Sequence, residues 1–242
     1  MKKLLLALLL AAGLIIPSIA TATGEPKYGF YIAPKFVYSY QMMDALVAEL
    51  PGLTMHLMDA ANDSTYGGAL AIGYDWKSRF DIPIRTEIEC ATRSELEAEH
   101  TDYYTSGPLT VFRTFKPKVQ TSSIFFNAYW DIDFLCLNGK KSSFVPYVGG
   151  GIGISFMDWE LDYTEGTTSY PIPNSHSTES RNRTNFAWNI GAGVAYKFAN
   201  NWALDLGYRY VDFGDIGIEE DGGSMESKID AHEVLFGIRY TF

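Results

Sequence analysis

The sequence predicts an all-β protein, a closed eight-stranded antiparallel up-and-down transmembrane barrel with four long extracellular loops and short periplasmic turns. Eight segments alternate between a large apolar face and a face of small or charged residues, because side chains on a strand point to alternate sides. The connections between these segments are alternately long and short, which is typical of outer-membrane barrels. The chain also opens with a pattern that predicts export.

The export pattern covers residues 1–22. Two lysines follow the initiating methionine, residues 4–16 are almost wholly apolar, and a small-x-small motif ends at Ala22. The apolar run is shorter than the ~20 residues that a membrane-spanning helix needs, so it indicates a cleaved signal peptide instead of an anchor. We expect cleavage after Ala22 and a mature barrel domain over residues 23–242.

Composition limits the classes of partner. The formal net charge is −10, and it becomes −12 in the mature chain because Lys2 and Lys3 leave with the signal peptide. Nucleic-acid binding requires a basic footprint, so nucleic acid is not an expected partner. Cys90 and Cys136 are predicted at different heights on neighbouring strands, so we expect no disulfide between them.

The first four strands are predicted from period-2 runs with aromatic or aliphatic residues on the outward face. Pro34 cannot donate to a ladder, so a bulge or local distortion is expected there. The connection over residues 39–63 contains helical spacing at Asp44–Leu50, and a second long, charged loop covers residues 95–119. The predicted strands are Tyr28–Tyr38, Thr65–Trp76, Phe80–Ser94 and Thr121–Phe134.

The last four strands combine inward faces rich in glycine with aromatic outward faces. Short connections near residues 138–141 and 199–201 carry turn signals. Two long connections, residues 158–183 and 214–228, are predicted to be loops. The strands are Phe144–Met157, Thr184–Phe198, one that begins at Trp202 and one that ends at Phe242.

The C-terminal hairpin shows why the barrel is predicted to lie in a membrane. Leu206 and Tyr208 lie on one face of a strand, and Asp205 and Arg209 lie on the other. A soluble sheet buries its apolar face, but here the face assigned to the interior carries glycine, alanine and single charges. This inversion fits a barrel that meets lipid outside and is polar inside. An even number of strands places both termini on the periplasmic side.

Four C-terminal segments, residues 144–153, 190–196, 202–213 and 237–242, resemble the small eight-stranded outer-membrane barrels of the opacity-protein and surface-antigen type. The resemblance implies the outer membrane of a Gram-negative-type bacterium, with outer-membrane lipid and lipopolysaccharide as surroundings. The terminal Phe242 resembles the signal that the outer-membrane insertion machinery recognises. The family is defined by architecture, so the resemblance implies fold and location more firmly than function.

Charged residues predicted to face inward are balanced between basic and acidic types. An eight-stranded barrel is just wide enough for side chains to fill it, and a buried unpaired charge costs several kcal/mol. We therefore expect a plugged core of ion pairs; a narrow ion path is the alternative, since glycine and alanine could leave water-sized gaps. The residues are Lys35, Arg85, Glu87, Glu89, Arg93, Asp131, Asp133, Lys197, Asp205, Arg209, Glu233 and Arg239.

One pair within this set fixes the register of the last hairpin. Arg209 and Glu233 face inward on the rising and descending strands, and they are predicted at similar depth. Opposite charges across a strand pair attract each other, so we expect an ion pair between them.

The sequence predicts no catalytic residue, metal site or cofactor. His56, His100 and His176 fall in predicted loops, and His232 falls on the lipid side of the last strand. The predicted function is a non-enzymatic role in envelope structure or in adhesion-like contact with a surface ligand through the loops. A small porin-like channel for ions or small solutes is the alternative, and an enzyme that acts on outer-leaflet lipid is the third hypothesis.

Overall fold

The computed structural model describes residues 28–50, 53–106, 109–132, 136–137, 140–167, 175–220 and 223–242. The predicted signal peptide and Asp133 lie outside the described residues. Across the described part, no helix is long and apolar enough to span a membrane. The only helical segment there is one turn, Lys77–Phe80.

Strands make up most of the described chain. In order they are β1 (Phe30–Met43), β2 (Leu46–Leu50), β3 (Leu53–Met58), β4 (Ala61–Asp75), β5 (Ile84–Arg93), β6 (Leu96–Glu97), β7 (His100–Ser106), β8 (Leu109–Asp131), β9 (Cys136–Leu137), β10 (Lys140–Lys141), β11 (Phe144–Thr167), β12 (Ser175–Lys197), β13 (Trp202–Glu220) and β14 (Gly223–Thr241).

Eight long strands close into a barrel. They follow the order β1, β4, β5, β8, β11, β12, β13 and β14, and β14 pairs back with β1. Every neighbouring pair is antiparallel. The predicted fold class is confirmed, and closure leaves no sheet edge within the lipid zone.

The outer surface is apolar, as predicted. Large side chains such as Ile72, Phe126 and Ile190 are exposed there. Aromatic pairs lie near both ends of the barrel. Phe144 and Tyr196 have ring centroids 4.7 Å apart at one end. At that end, which we call the turn end, Tyr74 and Trp76 are 5.1 Å apart; at the opposite hairpin end, Tyr38 and Tyr66 are 5.5 Å apart and Trp188 and Tyr210 are 5.6 Å apart. This is the girdle arrangement of a membrane barrel.

The long connections differ from the prediction because they are largely β-structure. β11 continues to Thr167, and it pairs with β8 and with β12 through the region predicted as loop. Outside the membrane both faces of a strand meet water, so a strand rich in serine, threonine and asparagine loses the apolar alternation that marks the barrel. The predicted loop at residues 214–228 is likewise the upper hairpin of β13 and β14.

Two local predictions are corrected, and a third is confirmed in part. The helix over Asp44–Leu50 is wrong, because β2 pairs with β3 and β14 there and tertiary pairing overrides the helical spacing. The third barrel strand starts at Ile84 and not at Phe80, since Lys77–Phe80 forms a helical turn. Pro34 distorts the ladder locally, as predicted, although it causes no bulge: the pairing of β1 with β14 passes from Ile32–Tyr240 to Lys35–Gly237 with no residue inserted, and Ala33 and Pro34 have no ladder partner on β14.

Candidate functional site

The centre of the barrel contains a chain of six charged side chains of alternating sign, which we call the central charge chain. Lys35 Nζ lies 2.5 Å from Glu87 Oε1 and 2.6 Å from Glu89 Oε2. Arg209 lies 2.7 Å from Glu89 and 2.8 Å from Glu233, and Arg93 Nε lies 2.5 Å from Glu233 Oε1. The order is therefore Glu87, Lys35, Glu89, Arg209, Glu233 and Arg93.

The predicted register of the last hairpin is confirmed. Arg209 and Glu233 are direct cross-strand partners on β13 and β14. Glu233 is fully buried and accepts hydrogen bonds from both Arg209 and Arg93. One carboxylate thus balances two guanidinium groups, and the second of these comes from the opposite side of the barrel, on β5.

The remaining inward charges lie nearer the turn end. Arg85 Nη2 lies 2.9 Å from Asp131 Oδ1, and Arg239 Nε lies 3.4 Å from Asp205 Oδ2. Lys197 sits at the turn-end rim of β12 and is exposed. The structure therefore brings most of the predicted interior charges into ion pairs, leaves Lys197 at the mouth, and does not describe Asp133.

Aromatic and amide side chains fill the space that glycines leave beside these charges. Tyr129 Oη and Tyr31 Oη each donate to Glu87 at 3.0 Å. A Cβ added at Gly193 would lie 2.4 Å from Tyr147 Cζ, so the ring of Tyr147 already occupies that volume. The gaps that favoured an ion path are thus largely filled, and a cavity of about 40 Å³ remains. Such a volume holds only one or a few water molecules.

The outer half of the lumen contains a layer of apolar side chains, which the sequence analysis missed; Gln41, Thr65 and Thr121 are buried beside it and hydrogen-bond to each other. Arg93 stacks over Phe213 with its guanidinium 4.5 Å from the ring centroid, so this layer starts directly above the central charge chain. The sequence contained a signal for this layer: Met157 and Trp159 continue the inward-facing positions of β11, and Val211 and Phe213 continue those of β13. We call this layer the apolar plug; it comprises Met43, Val119, Phe125, Met157, Trp159, Ala187, Val211, Phe213, Ile216, Ile229 and Ala231.

Beyond the plug, β7 and the outer parts of β8, β11 and β12 form a four-stranded projecting sheet. On its outward face, Lys118 Nζ lies 3.4 Å from Asp162 Oδ2. The Thr178 hydroxyl donates to Asp162 Oδ1 at 2.7 Å, and this hydrogen bond, with Lys118, lowers the pKa of Asp162. With ten residues from Asp158 to Thr167, β11 extends roughly 30 Å beyond the last lipid-facing row, at about 3.3 Å per residue.

The inward face of the projecting sheet carries a cluster of aromatic and charged groups. Arg113 packs over the Tyr104 ring at 4.4 Å, and its guanidinium donates to Tyr104 Oη at 3.0 Å. Tyr163 and Tyr104 both donate to the carboxylate of Glu165, which lowers the pKa of Glu165. Phe115 stacks beside Tyr163 with centroids 5.1 Å apart.

The projecting sheet has a free edge. β12 pairs with β13 only from Trp188 onward, so its outer residues 175–187 pair with β11 alone among the described residues. Gly214, with φ of 82°, forms a bulge that turns β13 away from β12. Asn185 Nδ2 donates to Asp215 O at 2.6 Å and closes the base of the cleft between them.

The histidines of the described chain do not assemble a catalytic relay. His100 Nε2 lies 2.9 Å from Asp102 Oδ1 on an exposed strand, and His232 Nδ1 contacts Tyr208 Oη at 2.6 Å near the lipid. The ring of His176 contacts two threonine hydroxyls, whereas the nearby Asp162 contacts Thr178 and not the ring. The side chain of His56 is outside what the structure describes. No group of three or more metal-ligating side chains occurs in the described ranges.

Comparisons with known proteins agree with this architecture. A family model described as "Outer membrane protein beta-barrel domain" matches residues 6–242. The chain is 26% identical over 250 residues to outer membrane protein PagN of Salmonella typhimurium, covering 94% of this chain and 97% of that protein. It is 22% identical over 271 residues to opacity protein opA58 of Neisseria gonorrhoeae, covering 97% and 96%. The crystal structure of OprG from Pseudomonas aeruginosa superposes with a TM-score of 0.51 over 90% of this chain and 98% of OprG, at 12% identity, which supports the fold alone.

Proposed function

The chain belongs to the outer membrane protein β-barrel family, and from that premise we propose that it contacts macromolecules outside the cell through its projecting sheet. It is an outer-membrane barrel of the opacity and surface-antigen type. In the outer membrane, the turn end and both termini face the periplasm, and the projecting sheet faces the exterior. Phe242, whose backbone N–H donates to Phe30 O at 2.8 Å, is the proposed signal for the insertion machinery.

The free edge of β12 is the observation that carries this proposal. Over residues 175–183, beyond the lipid zone, β12 has a strand partner on one side only among the described residues. An extended segment of another protein can add to such an edge through main-chain hydrogen bonds. The Tyr104–Arg113–Glu165 cluster lies on the inward face of the same sheet and supplies aromatic and charged groups for side-chain recognition.

The filled interior argues against the transport of ions or solutes as the main role. The apolar plug and the central charge chain fill successive layers of the lumen, and Phe213 and Glu233 are both fully buried. Surface contact needs no lumen, so it agrees with a filled barrel. The role we propose is non-enzymatic.

Removal of the outer parts of β11 and β12, which carry the free edge, tests the proposal. A variant in which a short turn replaces residues 160–181 retains the barrel strands and the apolar belt. Bacteria that display this variant should lose binding to immobilised extracellular-matrix proteins and to cultured cells, whereas bacteria with the intact chain should bind. The matched control shortens the other outer hairpin by replacing residues 217–226.

Folding is checked in the same samples. A closed barrel resists unfolding until it is boiled, so both variants should migrate differently on a denaturing gel before and after boiling. If the variant without residues 160–181 is folded and binds as well as the intact chain, the free-edge half of the projecting sheet is not the contact surface, and the proposal fails.

A further inference from the structure

At the turn end, the mouth of the barrel forms a polar pocket of about 140 Å³. It opens towards the periplasm, at the opposite end of the molecule from the projecting sheet. Residues of β4, β12, β13 and β14 and of the two turns beside them form its walls. We call it the mouth pocket; its polar lining includes Asp75, Lys77, Lys197, Asn200, Asn201 and Arg239.

Arg239 forms the floor of this pocket and has an unused donor. The residue is 4% exposed, and its Nε reaches Asp205 Oδ2 only at 3.4 Å. Its Nη1 is buried and has no hydrogen-bond partner among the described residues. A buried guanidinium N–H without an acceptor is costly, so an acceptor that enters the pocket would be bound favourably.

Lys197 stands at the rim, and one strand, β13, lies between it and Arg239. Lys197 and Arg239 are both cross-strand partners of Ala203, on opposite sides of β13. The backbone N–H of Lys197 donates to Ser143 O at 2.8 Å, but its ammonium forms no ion pair with a carboxylate in the described part of the chain. Its charge is therefore available to a ligand.

The described carboxylates near the pocket leave one cation without an ion pair. Asp75 is the one carboxylate among the described lining residues, and its Oδ1 accepts the backbone N–H of Lys77 at 3.0 Å. Asp205, just below the lining, is the partner of Arg239. Lys197 therefore leaves a positive charge at the rim, and the amide of Asn201, which donates to Thr241 O at 2.7 Å, forms part of the wall.

We propose that the mouth pocket binds a small oxyanion, the carboxylate or phosphate group of a periplasmic ligand. Arg239 would donate to the oxygens from below, and Lys197 would neutralise the charge from the rim. Charge-assisted hydrogen bonds of this kind are about twice as strong as neutral ones. The deeper cavity of about 40 Å³ is too small for such a group, so the ligand stops at the mouth. This site is independent of the proposed surface contact.

The test uses the refolded, isotope-labelled chain in phosphate-free maltoside micelles, with inorganic phosphate as the probe. The amides of residues 199–203 and of Arg239 should shift in NMR spectra and reach saturation. Lys197→Gln removes a cation that holds no structural ion pair, and it should weaken binding about tenfold, because one charge-assisted contact is lost. Arg79→Gln, a cation of the neighbouring turn that does not line the pocket, should leave binding unchanged.

Two further probes distinguish the sources of the oxyanion. Nanodiscs that contain phosphatidylglycerol should displace bound phosphate if the ligand is a lipid headgroup, and a soluble tripeptide with a free diaminopimelate carboxylate should displace it if the ligand is cell-wall peptide. Displacement by either supports the site. Shifts that do not saturate, or equal weakening by Lys197→Gln and Arg79→Gln, would overturn the proposal, because they indicate general charge attraction or an adventitious ion only.

Discussion

The two halves of the lumen differ in the side chains that dominate their packing. The periplasmic half holds ion pairs, and Glu233 at its upper limit binds Arg93 and Arg209. The outer half holds the apolar plug, in which Met157 and Phe213 are fully buried. Both halves exclude solutes, but a charge depends on a specific partner and a plug residue depends on volume. The two halves should therefore respond differently to substitution.

The largest effect is expected for Glu233→Ala. It leaves Arg93 and Arg209 without the carboxylate they share, and removing one member of a buried pair costs about 3–5 kcal/mol. The free energy of unfolding, measured in urea with the protein in micelles, should fall by that amount.

The rescue by a second substitution distinguishes a chain from an isolated pair. Arg93→Met with Glu233→Leu removes the last two members and leaves Glu87, Lys35, Glu89 and Arg209 balanced, so it should recover much of the loss. Arg209→Met with Glu233→Leu isolates Arg93 and should recover less. Equal recovery in both double variants would mean that the alternating chain does not operate as a unit.

A smaller effect is expected in the plug. Met157→Ala leaves a cavity and should lower the free energy of unfolding by about 2–4 kcal/mol. Met157→Leu conserves volume and should cost less than about 1.5 kcal/mol, without any partner substitution. A large loss in both variants would show that this half also depends on specific contacts, and the contrast between the halves would fail.

The boundary between the plug and the projecting sheet depends on Gly214. Its φ of 82° is unfavourable for other residues, and an added Cβ would lie 2.8 Å from Asn185 Cβ. Gly214→Ala should therefore destabilise the fold by about 1–2 kcal/mol. Gly217→Ala, in the same strand beyond the bulge, provides a comparison. Unchanged stability of Gly214→Ala by urea unfolding would argue against a constrained bulge.

The smallest effect is expected on the exposed projecting sheet, where charges are solvated. The hydroxyl of Thr178 lowers the pKa of Asp162, so this contact contributes stability above the ordinary pKa of a carboxyl, and the contribution is lost as pH falls through the depressed value. Thr178→Val should raise the pKa of Asp162 in an NMR titration and hardly change unfolding. An unchanged pKa would show that this hydrogen bond does not form in solution.

These regions also explain what the sequence could predict. In the lipid zone, the outward face must be apolar and the inward face small or charged, so alternation identified all eight barrel strands and the pairing of Arg209 with Glu233. The predicted directions of individual side chains are also correct: Arg85 is buried inside the barrel, and Ile88 is exposed on its outer surface. The requirement for an apolar outward face comes from the lipid, so it applies only to the residues that lie within the membrane.

Outside the lipid zone, the same reasoning failed for physical reasons. β11 and β12 continue as strands whose two faces are wet, so residues 158–183 resemble a loop in composition. The plug was missed because Trp159 lay in a segment predicted as loop. The sequence also could not predict which side chains fill the space beside the inward glycines. The space beside Gly151, for example, is occupied by Asn127, whose Oδ1 would lie 2.0 Å from an added Cβ. Such contacts depend on side chains from neighbouring strands.

Single-channel recording in planar bilayers tests the central claim, a lumen closed by the central charge chain and the apolar plug, most directly. Samples shown to be folded by their heat-dependent migration should give no unitary conductance, because the charge chain and the plug fill the lumen and the cavity beside the charge chain is only about 40 Å³. A known porin in the same bilayers provides the positive control. Reproducible, stepwise conductance from the intact chain, with a constant ion selectivity, would contradict the account.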